Sequence, residues 1–148
     1  MAKRYIIRVA NTDLNGEKNI VFALRKVTGV GTMFANALCY AAGIDPNAKA
    51  GDISEAEEKQ LNELIKQPKI GGIPEWMLNR QKDPETGETS HLSAADVKFF
   101  RENDIKQMRK IKSYKGQRHA VGLPVRGQRT KSNFRKHRKK QVSKKVRV

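Results

Sequence analysis

Residues 23–38 read ALRKVTGVGTMFANAL and place Gly29-Val30-Gly31 between two runs of helical character. Before the glycines, the apolar residues at helical spacing are Ile20, Val21, Leu24 and Val27. After the glycines, the apolar residues at i, i+3, i+4 and i+7 are Phe34, Ala37, Leu38 and Ala41. Because this is the period of an amphipathic helix, the stretch predicts two helices joined by a short glycine turn, with Gly43 ending the second helix.

The turn at residues 29–32 has two interpretations, and the sequence leaves both open. In a helix–hairpin–helix, the glycines let two helices meet closely, and the N–H groups that begin the second helix face a phosphate. Alternatively, the same residues form a tight turn between packed helices and bind nothing. Under the first interpretation, Gly29, Gly31 and Thr32 are candidate nucleic-acid contacts.

The remaining body is predicted to be mainly helical. Ser54 with Glu57 three residues later is a capping-box pattern, and the helix that it begins should end before Pro68. The longest helix is expected over residues 93–111. Its buried positions are predicted to be Val97, Phe100, Ile105, Met108 and Ile111. Residues 5–9 contain a short apolar run that fits either a strand or an extended arm.

Residues 68–92 differ from the helical segments around them. The sequence DPETG at 83–87 is a turn signal between two stretches of mixed polarity, so a small β-hairpin insert is predicted, with an irregular loop as the alternative. Trp76, the only tryptophan of the chain, is expected to anchor this insert to the body.

Charge divides the chain unevenly. Residues 1–104 hold 14 Lys and Arg residues against 15 Asp and Glu residues, whereas residues 105–148 hold 17 Lys and Arg residues and no acid. The formal net charge of +16 therefore comes from the last third of the chain, which needs a polyanion as its partner. We predict a helical body over residues 1–111, including the insert, and an extended basic RNA-binding arm over residues 112–148.

The arm has a composition suited to nucleic acid. Residues 113–131, SYKGQRHAVGLPVRGQRTK, place a cation every few positions among glycines, one proline and one aromatic residue. Arginine offers a planar fork of donors to phosphate, glycine permits close backbone approach, and proline stiffens a turn. Residues 129–148 lack the apolar face that a membrane-surface helix needs, so nucleic acid is favoured over a membrane.

Several function classes find no support. His91, His119 and His137 are far apart in sequence, and no hydrolase, phosphate-loop or metal-protease motif is present. We therefore expect that the chain is not an enzyme and that it binds no small-molecule substrate, cofactor or metal. Cys39 is the only cysteine and is interpreted as a small buried hydrophobic residue. No run approaches the ~18 apolar residues needed to span a membrane, and no signal peptide is apparent, so the cytoplasm is the expected compartment.

The specific segments of the sequence resemble one known family. IRVANTDLNGEK at 7–18, KVTGVGTMFANALCYAAGI at 26–44, DISEAE at 52–57, YKGQRH at 114–119 and GLPVRGQRTK at 122–131 resemble small-subunit ribosomal protein thirteen of the universal set. The segment IPEWMLNRQKDPETG at 73–87 resembles an insert of its archaeal and eukaryotic members, which disfavours the bacterial branch.

The resemblance implies a fold and a set of partners. The fold is a helix–two-turns–helix body with a long helix and an extended C-terminal arm. The partners are small-subunit rRNA, the neighbouring head protein nineteen, large-subunit protein five across an intersubunit bridge, and P-site tRNA. The body surface, with the N-terminal segment, would face the bridge.

The resemblance also assigns residues to two groups. The expected rRNA contacts are Gly29, Gly31, Thr32, Arg109, Lys112, Tyr114, Lys115, Gln117, Arg118, His119, Arg126, Gly127, Gln128, Arg129, Thr130, Lys131, Asn133 and Arg135. The expected tRNA-proximal residues are Lys139, Lys140, Lys144, Lys145 and Arg147.

A helix–hairpin–helix DNA-binding protein is the alternative function. The Gly-Val-Gly turn and the general basicity of the chain support it. Such a protein does not need an acid-free extension of 44 residues, so the ribosomal interpretation explains more of the sequence.

Overall fold

The computed structural model describes residues 4–131, and the chain divides into two compact units, Met1–Phe99 and Phe100–Val148. The elements of the first unit are β1 (Ile6–Val9), β2 (Thr12–Asn15), α1 (Ile20–Leu24), α2 (Thr32–Ala42) and α3 (Glu55–Lys66). Short 3-10 turns follow at Ala50–Asp52, Pro68–Gly71 and Glu75–Met77. The division between the units falls inside α4 (Ala95–Lys110), and the second unit continues with α5 (Tyr114–Val121). The predicted mainly helical class is confirmed.

The N-terminal run forms a strand of a β-hairpin. β1 and β2 pair antiparallel, with Ile7 opposite Leu14 and Val9 opposite Thr12. The two-residue turn between them holds Ala10 and Asn11 at positive φ, as hairpin turns of this length require. Since Ile7, Val9 and Leu14 are buried and Ile6 is exposed, one face of the hairpin closes the core.

Helices α2 and α3 lie where the sequence predicts them. Gly43 ends α2 in the left-handed conformation, and its N–H bonds to the last carbonyls of the helix. Ser54 and Glu57 make the predicted capping box at the start of α3. The core between these helices, the hairpin and α1 contains fully buried Leu24, Leu38, Cys39, Leu61 and Ile65.

The predicted hairpin in the insert is reduced to a single bridge. Arg80 and Ser90 exchange two backbone hydrogen bonds of 3.2 and 2.9 Å, around a turn that the Asp83 carbonyl closes with the Gly87 N–H at 2.7 Å. The rest of the insert consists of 3-10 turns and irregular chain. The two-stranded hairpin of this fold lies at residues 6–15 instead.

The prediction that Trp76 anchors the insert is wrong. Its side chain is 73% exposed, whereas Ile73 and Leu78 on either side of it are buried. The aliphatic residues anchor the insert because the 3-10 turn between them points the tryptophan outward.

The long helix is more exposed than its apolar pattern predicts. None of the residues of α4 is fully buried, and Val97, Phe100, Ile105 and Met108 are half-buried. Ile111, the last predicted core position, lies beyond the helix end and is 70% exposed. α1 is also shorter than its pattern, since turns replace the helix after Leu24.

Candidate nucleic-acid interface

The first part of the basic arm is helical rather than extended. Residues Tyr114–Val121 form α5, with the Ser113 hydroxyl accepting a hydrogen bond of 3.2 Å from the Gly116 N–H at its start. Gly122, with φ of 71°, ends the helix in the left-handed conformation, and the Leu123 N–H bonds to the Arg118 carbonyl at 2.9 Å. The helix depends on these caps rather than on an apolar stripe, which is why sequence periodicity did not reveal it.

A tight corner joins α5 to the end of α4. Lys112 has a φ of 53°, and the Ser113 N–H and hydroxyl both bond to the Met108 carbonyl, at 3.2 and 2.9 Å. Gly116 is buried against this corner, and a Cβ there would lie 2.2 Å from the Met108 oxygen. The glycine is therefore required for the close approach of the two helices.

Arg118 holds the chain that follows α5. Its Nε donates a 3.0 Å hydrogen bond to the Pro124 carbonyl, and its guanidinium lies 5.9 Å from the centre of the Tyr114 ring. At Gly127, with φ of 73°, the Gln128 side-chain oxygen accepts a hydrogen bond of 3.2 Å from the Arg126 N–H. Arg118 and Gln128 thus make hydrogen bonds within the loop, whereas the neighbouring cations Arg126 and Arg129 are exposed.

Apart from the half-buried Arg118, the sequence-predicted contacts of this unit within residues 100–131 are exposed. The exposed residues are Arg109, Lys112, Tyr114, Lys115, Gln117, His119, Arg126, Gly127, Gln128, Arg129, Thr130 and Lys131. Residues 100–131 carry ten Lys and Arg residues and two acidic residues, a net charge of +8. This density of exposed cations suits a phosphate backbone.

Some predicted contacts lie elsewhere or outside the described residues. Gly29, Gly31 and Thr32 belong to the first unit. The predicted rRNA contacts Asn133 and Arg135 fall outside residues 4–131, as do the tRNA-proximal residues Lys139, Lys140, Lys144, Lys145 and Arg147.

The two glycines of the turn before α2 have different surroundings. Gly29 has a φ of 97°, and a Cβ there would lie 2.4 Å from the Leu92 carbonyl oxygen. Gly31 is the N-cap of α2, and nothing lies within 4 Å of the Cβ position. The first glycine permits packing, as both interpretations of the turn require, and the second leaves the helix start open.

His91 lies buried beside this turn. Its ring stacks on Phe34 with centroids 3.8 Å apart and an interplanar angle of 13°. Burial lowers the pKa of His91 to about 4, an effect that the Gly29 backbone only partly opposes. Within residues 4–131, neither ring nitrogen makes a hydrogen bond of acceptable distance and angle. Sequence reasoning gave His91 no role, and nothing in its local sequence marks it as a buried residue.

Cys39 behaves as the small hydrophobic residue that the sequence predicts. It is fully buried in α2, and burial raises the pKa of its thiol to about 11. A thiol with this pKa is inert at neutral pH.

Two other kinds of site are absent from the described residues. Among residues 4–131, no cluster of three His, Cys, Asp or Glu side chains has the arrangement of a metal site. No helix in the same range is long and apolar enough to cross a membrane.

A capped helical body followed by a basic, acid-poor helix and loop defines the class of nucleic-acid-binding proteins. Comparison with known families gives the particular assignment: the profile described as "Ribosomal protein S13/S18" matches residues 8–136, and the chain belongs to this family. The prediction that the chain is not an enzyme is confirmed, because this family is a structural component of the small ribosomal subunit.

Individual relatives support the same assignment over most of the chain. The proteins named "Small ribosomal subunit protein uS13" from Nanoarchaeum equitans and Methanopyrus kandleri are 49% and 46% identical over 140 and 142 residues. These alignments cover 95% of this chain and 92% and 94% of the relatives. The protein of that name from Methanocaldococcus jannaschii is 45% identical over 133 residues, which cover 90% of this chain and 89% of the relative. The predicted archaeal or eukaryotic type is confirmed, and these relatives are archaeal.

Proposed function

We propose that this chain organises the head of the small ribosomal subunit by holding rRNA on the surface of α5 and the loop of residues 122–131. The observation that carries the proposal is the net charge of +8 over residues 100–131, with almost every predicted contact exposed. A neutral body keeps the protein folded, while this surface supplies the affinity for phosphate.

In this proposal, the residues of α5 and its loop contact phosphates, stack on a base or hold the loop in place. Lys115, Arg126 and Arg129 supply exposed cations for phosphate oxygens. Tyr114 is 62% exposed and offers a ring on which an unpaired base can stack. The Arg118–Pro124 hydrogen bond keeps the loop in one shape, so fewer conformations are lost on binding.

We also propose a bridge surface on the first unit. Tyr5, Ile6 and Phe22 expose large apolar side chains, at 77%, 67% and 58%. They line two adjoining grooves of about 380 and 550 Å³ that share Asn15 and Lys26. An apolar patch with a polar rim suits a protein partner, which in this proposal is large-subunit protein five.

The other proposed partners rest on the family resemblance of the sequence. The neighbouring head protein nineteen would contact the body, and residues 139–147 would approach P-site tRNA. Family membership places the chain on the ribosome in the cytoplasm.

A competition experiment tests the rRNA proposal against the DNA-binding alternative. The full-length chain is bound to labelled small-subunit rRNA fragments and challenged with duplex DNA at equal phosphate concentration and physiological salt. We expect the rRNA to remain bound. Equal displacement by duplex DNA would contradict the proposal, as would loss of the native protein from small subunits sedimented after a high-salt wash.

A further inference from the structure

An exposed groove in the first unit lies outside the basic arm. We call it the Trp76 groove; it measures about 450 Å³, and its lining includes Gly31, Thr32, Met33, Trp76, Met77 and His91. Its lining contains no acidic side chain. Trp76 and Met33 are 73% and 69% exposed, so a large apolar surface faces solvent here.

Polar side chains fix the backbone on both sides of the exposed Trp76 ring. Asn79 exchanges two hydrogen bonds of 2.8 Å with the Leu92 backbone, which ties the Trp76 turn to the segment before α4. The Gln81 amide donates a hydrogen bond of 3.0 Å to the Trp76 carbonyl. A tryptophan held outward by its neighbours is presented to a partner, since a free ring would gain free energy by packing on its own core.

The N-terminus of α2 opens into the same groove. Gly31 provides no side-chain cap, and the first turn of the helix contains no acidic residue. The first N–H groups of a helix lack partners within the helix and carry its positive dipole end. Because Gly31 has no Cβ and nothing fills that space, an anion can reach these N–H groups.

His91 gives independent evidence for a ligand. It is 9% exposed, it lines the groove, and within the described residues both ring nitrogens lack hydrogen-bond partners. Buried polar atoms are nearly always paired in native proteins, and within residues 4–131 the Gly29 backbone is the one polar group that acts on this ring, so a ligand at the N-terminus of α2 would lie beside an incompletely paired histidine.

We propose that the Trp76 groove holds one unpaired nucleotide of the rRNA, with its base stacked on Trp76 and its phosphate at the N-terminus of α2. An RNA occupant fits better than an apolar protein segment, because the groove combines an aromatic platform with backbone donors and no acidic side chain. This inference rests on the proposed rRNA binding, and it adds a second contact distant in sequence from the arm.

The single tryptophan reports directly on this groove. The full-length chain is titrated with hexauridylate and hexaadenylate, and the fluorescence of Trp76 is recorded. We expect saturable quenching by both oligonucleotides. Inorganic polyphosphate at equal phosphate concentration should bind the arm without quenching, since it has no bases.

Matched variants test the two halves of the site. Trp76→Ala should weaken the binding of a labelled small-subunit rRNA fragment by about 5- to 100-fold, the usual effect of removing one stacking ring. Trp76→Phe should restore most of the affinity. The control is Tyr40→Ala, which removes a 78% exposed ring of α2 outside the Trp76 groove and should not change the affinity. Thr32→Pro removes one N–H group at a helix position that accepts proline, whereas Thr32→Ala keeps that N–H. Only the proline variant should lose affinity strongly.

Two results would overturn the inference. The first is an rRNA affinity that Trp76→Ala and Thr32→Pro both leave unchanged, while neutralisation of the arm cations abolishes binding. The chain would then bind rRNA through the arm and not through the Trp76 groove. The other is equal quenching by polyphosphate, which would assign the signal to charge alone. Failure of the wild-type chain to prefer rRNA over duplex DNA would instead contradict the proposed function itself.

Discussion

Gly29 and Gly31 are two residues apart, yet the same substitution should affect them differently. Gly29→Ser places a side chain at positive φ and 2.4 Å from the Leu92 oxygen, so we expect a loss of about 2 kcal/mol or more in the free energy of unfolding. Gly31→Ser introduces a favoured N-cap residue into open space and should raise stability by up to about 0.5 kcal/mol. Urea denaturation of both variants measures the difference. An equal loss of unfolding free energy in the two variants would show that Gly29 is not packed against residues 92–93.

His91 should make the stability of the first unit depend on pH. Because its folded pKa of about 4 lies below its ordinary value of 6.5, the unfolded chain takes up the proton first as the pH falls. Stability is therefore complete above pH 6.5 and should fall as the pH decreases toward 4, by at most about 3 kcal/mol.

The control for this prediction is His91→Phe, which keeps an aromatic ring beside Phe34 and has no proton to gain. The carboxyl groups of Glu57 and Asp83 also have lowered pKa values, through hydrogen bonds from Ser54 and Arg80, but their ordinary values are 4.5 and 3.8. Wild type and variant are compared between pH 6.5 and 5.5, where these carboxyl groups stay almost fully ionised in both states. If His91→Phe kept the pH dependence of the wild-type stability, His91 would not be the cause of that dependence.

At the scale of elements, the position of α5 depends on Gly116. In Gly116→Ala the new methyl group would lie 2.2 Å from the Met108 oxygen, so α5 must move away from the corner at the end of α4. We expect rRNA affinity to fall by about tenfold or more, since several phosphate contacts are displaced together. Val121→Ala, at a 72% exposed position of the same helix outside the predicted contacts, is the control and should have a small effect.

Amide hydrogen exchange across α5 should show reduced protection in Gly116→Ala and unchanged protection in Val121→Ala. Wild-type protection together with lower affinity would mean that Gly116 contacts RNA through its own backbone rather than by positioning the helix.

The predictability of each element depends on how it is stabilised. α2 and α3 were predictable because an apolar period and a cap agree at the sequence level, as with Ser54 and Glu57. α5 and the 3-10 turn at Glu75–Met77 were not predictable, because caps and single tertiary hydrogen bonds stabilise them. Asn79 bonds to a residue 13 positions away, and the Arg118–Pro124 contact exists only after Gly122 reverses the chain. Such contacts leave no periodic pattern in the sequence.

At the scale of the whole molecule, composition predicts where the basic interface lies, whereas the geometry separates cations with hydrogen bonds inside the chain from exposed cations. The charge count placed the binding surface in the last third of the chain, and the exposed cations of residues 109–131 agree with it. The sequence could not separate Arg118, which shapes the loop, from Lys115, which faces solvent, because both are basic residues of one segment. It also missed the Trp76 groove, since the outward direction of the ring depends on tertiary contacts.

The division of charge between body and arm predicts the salt dependence of binding. Replacement of four exposed arm cations by Gln should lower the magnitude of the slope of log affinity against log salt by about 3, because each phosphate contact contributes about 0.7–0.9. The four residues are Lys115, Arg126, Arg129 and Lys131. The control replaces four exposed lysines of the first unit, which are Lys49, Lys59, Lys66 and Lys82. Since both variants lose the same net charge, a general electrostatic attraction would reduce both slopes equally.

Local phosphate contacts would reduce only the slope of the arm variant. The measurement is a binding titration between 50 and 200 mM salt, and an equal reduction of both slopes would contradict the assignment of α5 and its loop as the rRNA-binding surface.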